Sequence, residues 1–156
     1  MDAFSVPARD LSHAPSSAAA PTQVHVIATT EAGTRAALLE ARHVARRLDL
    51  AHTVLLVPRV ASSIASVEAP QADAAMVERY RRIAGDIGVN VVVRLCVCAT
   101  LREAFQWMLP RGCVVVLGGQ RRWWWPTGEQ RLADLLRKTG HAIVFAEASE
   151  HRCASW

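Results

Sequence analysis

The sequence predicts an α/β protein, a three-layer α/β/α sandwich around a five-stranded parallel sheet. Five short runs rich in Val, Ile and Leu alternate with four segments of helical periodicity, the pattern of repeated strand–helix–strand units. Each connection is long enough for a right-handed crossover, which neighbouring parallel strands require. The runs, Val114-Val115-Val116-Leu117 above all, are continuously apolar rather than alternating. That is expected of strands covered on both faces.

Residues 1–22 are rich in Ala, Ser and Pro without periodicity, so they read as a disordered tail ahead of one domain over 23–147. The first strand is Val24-His25-Val26-Ile27-Ala28, ending at Thr29-Thr30. Thr30 or Thr34 caps the following helix, with Glu31 favourable at its positive end. Leu38, Ala41, Ala45 and Leu48 form its inward face, with Ala37 and Val44 beside them. The second strand, 53–57, is stopped by Pro58, and 59–70 reads as a loop of small residues. A second helix over about 73–86 turns Met76, Tyr80, Ile83 and Ala84 inward, with Gly88 in the turn beyond it. The third strand, 89–98, is unusually long. Thr100 caps a short helix carrying Leu101, Ala104, Phe105 and Met108, closed by Pro110. The fourth strand is 113–117. The last helix, about 127–139, buries Leu132, Leu135 and Leu136 and ends at Gly140. A fifth strand over 141–146 and a second tail over 148–156 complete the chain.

Composition bounds the function. At 156 residues and 51% apolar content the chain can bury one sizeable core. A formal charge of +4 favours anionic partners in general. Acidic residues are interleaved with the arginines and aromatic RNA-binding motifs are lacking, which argues against nucleic acid. No apolar run approaches the roughly 18 to 20 residues that span a bilayer. The first 22 residues hold no signal-peptide stretch, so a cytoplasmic protein is expected. Cys96, Cys98, Cys113 and Cys153 then read as free thiols. Cys96 and Cys98 fall on one face of a strand, with Cys113 a candidate neighbour, yet no Cys/His quartet has zinc spacing. No metal site is assigned. Neither His25 nor His141 has a partner carboxylate or nucleophile that spacing supplies, so no catalytic residue is assigned and the chain is not read as an enzyme.

The segment Gly118-Gly119-Gln120-Arg121-Arg122-Trp123-Trp124-Trp125-Pro126-Thr127 concentrates the candidate chemistry. Its two glycines end the apolar run where the backbone turns sharply or lets a ligand approach. A small anion would find backbone N–H groups near Gly119 and Gln120, guanidinium forks from Arg121 and Arg122, and the hydroxyl of Thr127. The plainer reading stays open: a tight strand-to-helix turn, solvated arginines, and Pro126 at the first helical position. Three consecutive tryptophans cannot all face one core, so at least one packs under the helix and another serves as a stacking platform or an interface anchor.

With these elements in place the chain resembles the universal stress protein family, small Rossmann-like nucleotide-binding domains. The resemblance covers about 24–146 and rests on element order and on Val114-Val115-Val116-Leu117-Gly118-Gly119, which looks like the family's strand-four signature. It implies strand order 3-2-1-4-5 and a ligand crevice at the carboxyl ends of strands one and four. Gly118, Gly119, Arg121, Arg122 and Thr127 would hold phosphate, with Thr29 and Thr30 lining the facing edge. Compared with the family's phosphate loop, Arg121 stands at the second glycine position and Pro126 precedes Thr127 where glycine is usual. Thr29 and Thr30 replace the acidic residue that ends strand one in ATP-binding members. The resemblance implies a stress-response regulatory module taking ATP or another adenine nucleotide, and a homodimer through strand five. The alternative is a protein-interaction module that uses the Trp-rich loop and binds no nucleotide.

Overall fold

A computed structural model of the chain describes residues 22–60, 69–122, 124 and 126–149. The N-terminal tail to residue 21, the loop 61–68, Trp123, Trp125 and 150–156 lie outside the described residues. The order is β1 (Gln23–Ile27), α1 (Glu31–Leu48), β2 (His52–Val60), α2 (Ala69–Asp86), β3 (Val92–Cys98), α3 (Leu101–Met108), β4 (Val114–Gly119), α4 (Gly128–Lys138) and β5 (Ala142–Glu147). All strand pairs are parallel and the sheet order is β3-β2-β1-β4-β5. This is the Rossmann-like α/β/α sandwich that the alternation of elements predicts.

Two apolar clusters sandwich the sheet. Val24 and Val26 of β1, Leu55 and Val57 of β2, and Val114 and Val116 of β4 pack under Ala37, Leu38, Ala41 and Val44 of α1 and Ile83 and Ala84 of α2. The alternate residues Ile27, Val54, Leu56, Val115 and Leu117 meet Phe105 of α3 and Ala133 and Leu136 of α4. Strand alternation thus places successive residues of β1, β2 and β4 in different cores, which is why the buried positions of these strands are apolar apart from His25 and Thr53.

Several expectations differ from the structure, each for a physical reason. Pro58 lies inside β2, paired with Cys96, instead of ending the strand. The Ala28 N–H donates to the Leu56 C=O at 2.9 Å, so Leu56 and, two residues on, Pro58 face the β1 side. Since β1 ends at Ile27, the donor that proline lacks has no strand to meet there. Helix α2 begins at Ala69, four residues before the apolar periodicity starts at Asp73, with Pro70 in its first turn. Strand β3 starts at Val92 rather than at 89. Val89 instead closes α2: its N–H bonds to Ala84 C=O at 2.9 Å and Gly88 N–H to Gly85 C=O at 3.0 Å, with Gly88 at φ +68°. Val89 is apolar because it packs over that helix end, not because it pairs in the sheet. Finally, Leu48 is 52% exposed, beyond the reach of the sheet at the last turn of α1.

Candidate functional site

β1 and β4 are neighbours, but α1 leaves β1 over one face of the sheet while α4 leaves β4 over the other. This reversal opens a crevice at their carboxyl ends, where open α/β sheets place ligands. Two helix N-termini border it. Thr30 caps α1, its Oγ1 accepting from Gly33 N–H at 3.1 Å. Thr127 caps α4 in a reciprocal box: its Oγ1 accepts from Gln130 N–H at 3.3 Å, and its own N–H donates to Gln130 Oε1 at 2.8 Å. Between them is a cavity of about 490 Å³ lined by Thr30, Ala32, Gln120, Arg122, Pro126, Thr127, Glu129, Ala148 and Ser149. An adjoining hollow of about 600 Å³ adds Arg121 and Glu147.

The structure divides the seven residues expected at the site. Thr30, Arg122 and Thr127 line one cavity. Arg121 lies on the β5 side, its guanidinium carbon 5.7 Å from the Phe145 ring centroid, a cation–π distance. Thr29 is committed elsewhere. Its N–H donates to Thr34 Oγ1 at 3.0 Å and its hydroxyl to Gly118 C=O at 2.7 Å, tying the end of β1 to β4.

Gly118 and Gly119 correct the expectation most sharply. They continue β4, paired with Ala146 and Glu147, instead of forming a turn. Both are buried, and the Gly119 C=O accepts from Ala148 N–H at 2.9 Å. The close approach that these glycines permit is made by the protein itself. A Cβ on Gly118 would overlap the Gly33 carbonyl, and one on Gly119 would come within 2.9 Å of Glu129 Cγ. Pro126 precedes the cap of α4 rather than occupying its first helical position. Trp124 is 85% exposed, so it packs under no helix.

The charges at the mouth are mixed. Glu129 carries a carboxylate into the first turn of α4, where the helix dipole already favours negative charge. Arg122 is the cation that borders both hollows, its backbone N–H directed to Gln130 Oε1 at 3.4 Å. On the α1 side, Glu31 is held by Arg79 at 3.1 Å and Arg35 at 3.2 Å, and these hydrogen bonds lower its carboxyl pKa. The roles of Glu129 and Gln130 escape a reading of the loop alone. The spacing Thr127-x-x-Gln130 was nevertheless a visible capping-box signature.

The remaining titratable groups lie away from this crevice. His25 is 3% exposed with its Nδ1 unpartnered, and burial, then Arg94 and His141, lower its pKa. Cys113 Sγ is 3.4 Å from His141 Nδ1, and burial pushes the thiol up to about 11. Cys113 is not a neighbour of Cys96 and Cys98: it precedes β4, whereas they occupy the far end of β3, with β1 and β2 intervening. Among the described residues no group of three or more His, Cys, Asp or Glu side chains is placed to hold a metal ion. Among them, too, no helix is long and apolar enough to cross a membrane.

No family model matches the sequence, and no curated protein is significantly similar to it. Among solved structures the chain is similar to a universal stress protein family protein from Arabidopsis thaliana, crystallised with AMP bound. Identity is 14% and the TM-score 0.48, over 86% of this chain and 97% of that one. The fold assignment itself rests on the strand order and pairing described above.

Proposed function

We propose that the chain is a universal-stress-protein-like regulatory module that binds an adenine nucleotide, or a related small phosphate, in the crevice between β1 and β4. The observation that carries this reading is the cavity of about 490 Å³ at the switch point, bordered by two capped helix N-termini and by Arg122. Helix N-termini favour anions, and a guanidinium fork matches phosphate oxygens in bidentate geometry. Thr30 and Thr127 supply hydroxyls at the rim, while Arg121 faces the adjoining hollow. The glycines contribute packing rather than phosphate contacts. The proposal assigns the module binding and signalling in a stress response, with no chemical step of its own.

Thermal unfolding with and without ATP, AMP and GTP tests it. A ligand at 100 times its Kd adds about 2.7 kcal/mol of stability. No shift at millimolar nucleotide would sink the proposal.

That result would favour a second reading, a protein-interaction module, which the 85% exposure of Trp124 supports. Indole rings exposed beside arginines have the composition of interface anchors. Under either reading the outer edge of β5 is the proposed homodimer contact. β5 ends the sheet, and a hollow of about 1170 Å³ lined by Leu39, His43, Val144 and Phe145 runs beside it.

A further inference from the structure

The crevice makes no use of the thiols on the opposite edge of the sheet. Cys96 and Cys98 lie two residues apart on β3, the last strand on that side, which pairs with β2 alone among the described strands. Val93 and Leu95 pack into the cluster beneath α2, so alternation puts Arg94, Cys96 and Cys98 together on the other face. Both thiols are half-buried and therefore within reach of solvent. Cys98 Sγ–H donates to Arg59 C=O at 3.6 Å, which fixes one sulfur against β2. Burial, then the neighbouring Cys98, raises the Cys96 pKa.

Geometry limits what such a pair can do. Residues two apart on a strand are separated by about 6.6 Å, and their Cβ atoms stand nearly parallel. A disulfide needs Cβ atoms about 3.5 to 4.5 Å apart, so oxidation would require β3 to leave its ladder with β2. A metal ion placed between the sulfurs relieves that constraint. With metal–sulfur bonds of about 2.3 Å, as in zinc thiolates, it bridges sulfurs up to about 4.6 Å apart. Zinc itself needs four ligands, and no third His, Cys, Asp or Glu converges here among the described residues. Two soft donors without a third suit a soft d10 cation that accepts two-coordination, and thiolates select copper(I).

We propose that Cys96 and Cys98, on the open edge of β3, form a two-thiolate binding site for a soft monovalent cation of copper(I) type. Binding forms two sulfur–metal bonds and breaks two S–H bonds, whose protons pass to solvent, and nothing is oxidised or reduced. The pair then carries one net negative charge, with Arg94 two residues before Cys96 on the same strand face. Deprotonation of Cys98 ends its donation to Arg59 C=O, so occupancy is felt at the end of β2, where Arg59 pairs with Asp73 of α2.

The test uses the full chain, reduced and freed of reductant under nitrogen, with copper(I) supplied as its coloured bathocuproine disulfonate complex. The wild-type protein is expected to withdraw a single equivalent and bleach the complex, as is Cys113→Ser, whereas Cys96→Ser/Cys98→Ser withdraws none. Cys113 and Cys153 remain in that double variant, so retention of the equivalent there would overturn the proposal. So would a wild-type protein that takes up no copper. X-ray absorption of the loaded wild type needs no variant to fold. Two sulfur ligands are expected, and three or more, or nitrogen in place of sulfur, would also overturn it.

Discussion

Gly33 and Gly118 stand backbone to backbone where the first turn of α1 crosses the end of β4. A Cβ on Gly33 would lie 2.5 Å from the Gly118 carbonyl oxygen, and the Thr29 hydroxyl donates to that same oxygen at 2.7 Å. The relationship sets how closely the N-terminus of α1 approaches the crevice, and so where Thr30 stands.

Gly118→Ala should therefore destabilise the fold without touching a ligand. The added methyl meets the Gly33 carbonyl and Ala37 Cβ, both backed by packed structure, so α1 must move. Overpacking of this kind costs about 1 to 3 kcal/mol. Urea unfolding measures the loss. A variant as stable as the wild type would show that α1 can slide away at little cost, removing the steric account of the double glycine.

Thr127 separates a capping role from a ligand role. Removing its hydroxyl opens the box with Gln130 and should cost about 1 kcal/mol, within the usual range of 0.5 to 2. Thr127→Ser keeps the acceptor and should keep the stability. If Thr127→Ala unfolds at the wild-type urea midpoint, the cap contributes nothing measurable to α4.

The two loop arginines should part company. Arg122 borders the crevice, so Arg122→Ala should abolish the nucleotide-induced thermal shift while moving the unliganded melting point little. Arg121 lies over Phe145 at an exposed position, so Arg121→Ala should cost about 0.5 to 1 kcal/mol of stability and leave most of the shift in place. Equal effects on the shift would mean that ligand spans both hollows. Glu129→Gln removes the carboxylate competing for the same helix end and should tighten nucleotide binding, at a stability cost of about 0.3 to 1 kcal/mol. Calorimetric titration with AMP would read that change directly.

These expectations follow from side-chain partners, which the sequence disclosed unevenly. The fold was legible because apolar runs such as Val114–Leu117 and helical faces such as Leu38, Ala41 and Val44 record burial directly. The site was legible only in part. Gly118 and Gly119 follow an apolar run in the way that a ligand loop would, and nothing local distinguishes room made for a phosphate from room made for α1 and Glu129. Thr29 and Thr30 read alike, but the first closes the strand ends and the second opens onto the crevice. Likewise Val89 carried the composition of a strand while serving as the apolar closure of α2. Non-local partners decide each of these, and a one-dimensional pattern does not contain them.

His25 should give the fold a pH dependence of definite sign. The ring is 3% exposed in β1, its Nδ1 has no partner, and burial is the largest of the causes that lower its pKa below 6.5. Arg94 and His141 add to the shift, while a backbone hydrogen bond involving Val114 opposes it. The unfolded chain thus takes up a proton near pH 6.5 while the folded chain still resists it. Stability is accordingly complete above that pH and falls as the pH drops from about 6.5 toward the lowered folded value, with the unfolded state binding more protons throughout the window. His141, whose pKa burial also lowers, contributes with the same sign. Urea midpoints measured between about pH 5 and 7.5 should decline toward acid in the wild-type protein. His25→Val replaces the ring with a β-branched side chain suited to a buried strand, and should flatten much of that slope while leaving the part due to His141. A wild-type profile that rises toward acid over this window would contradict the buried neutral state assigned to His25.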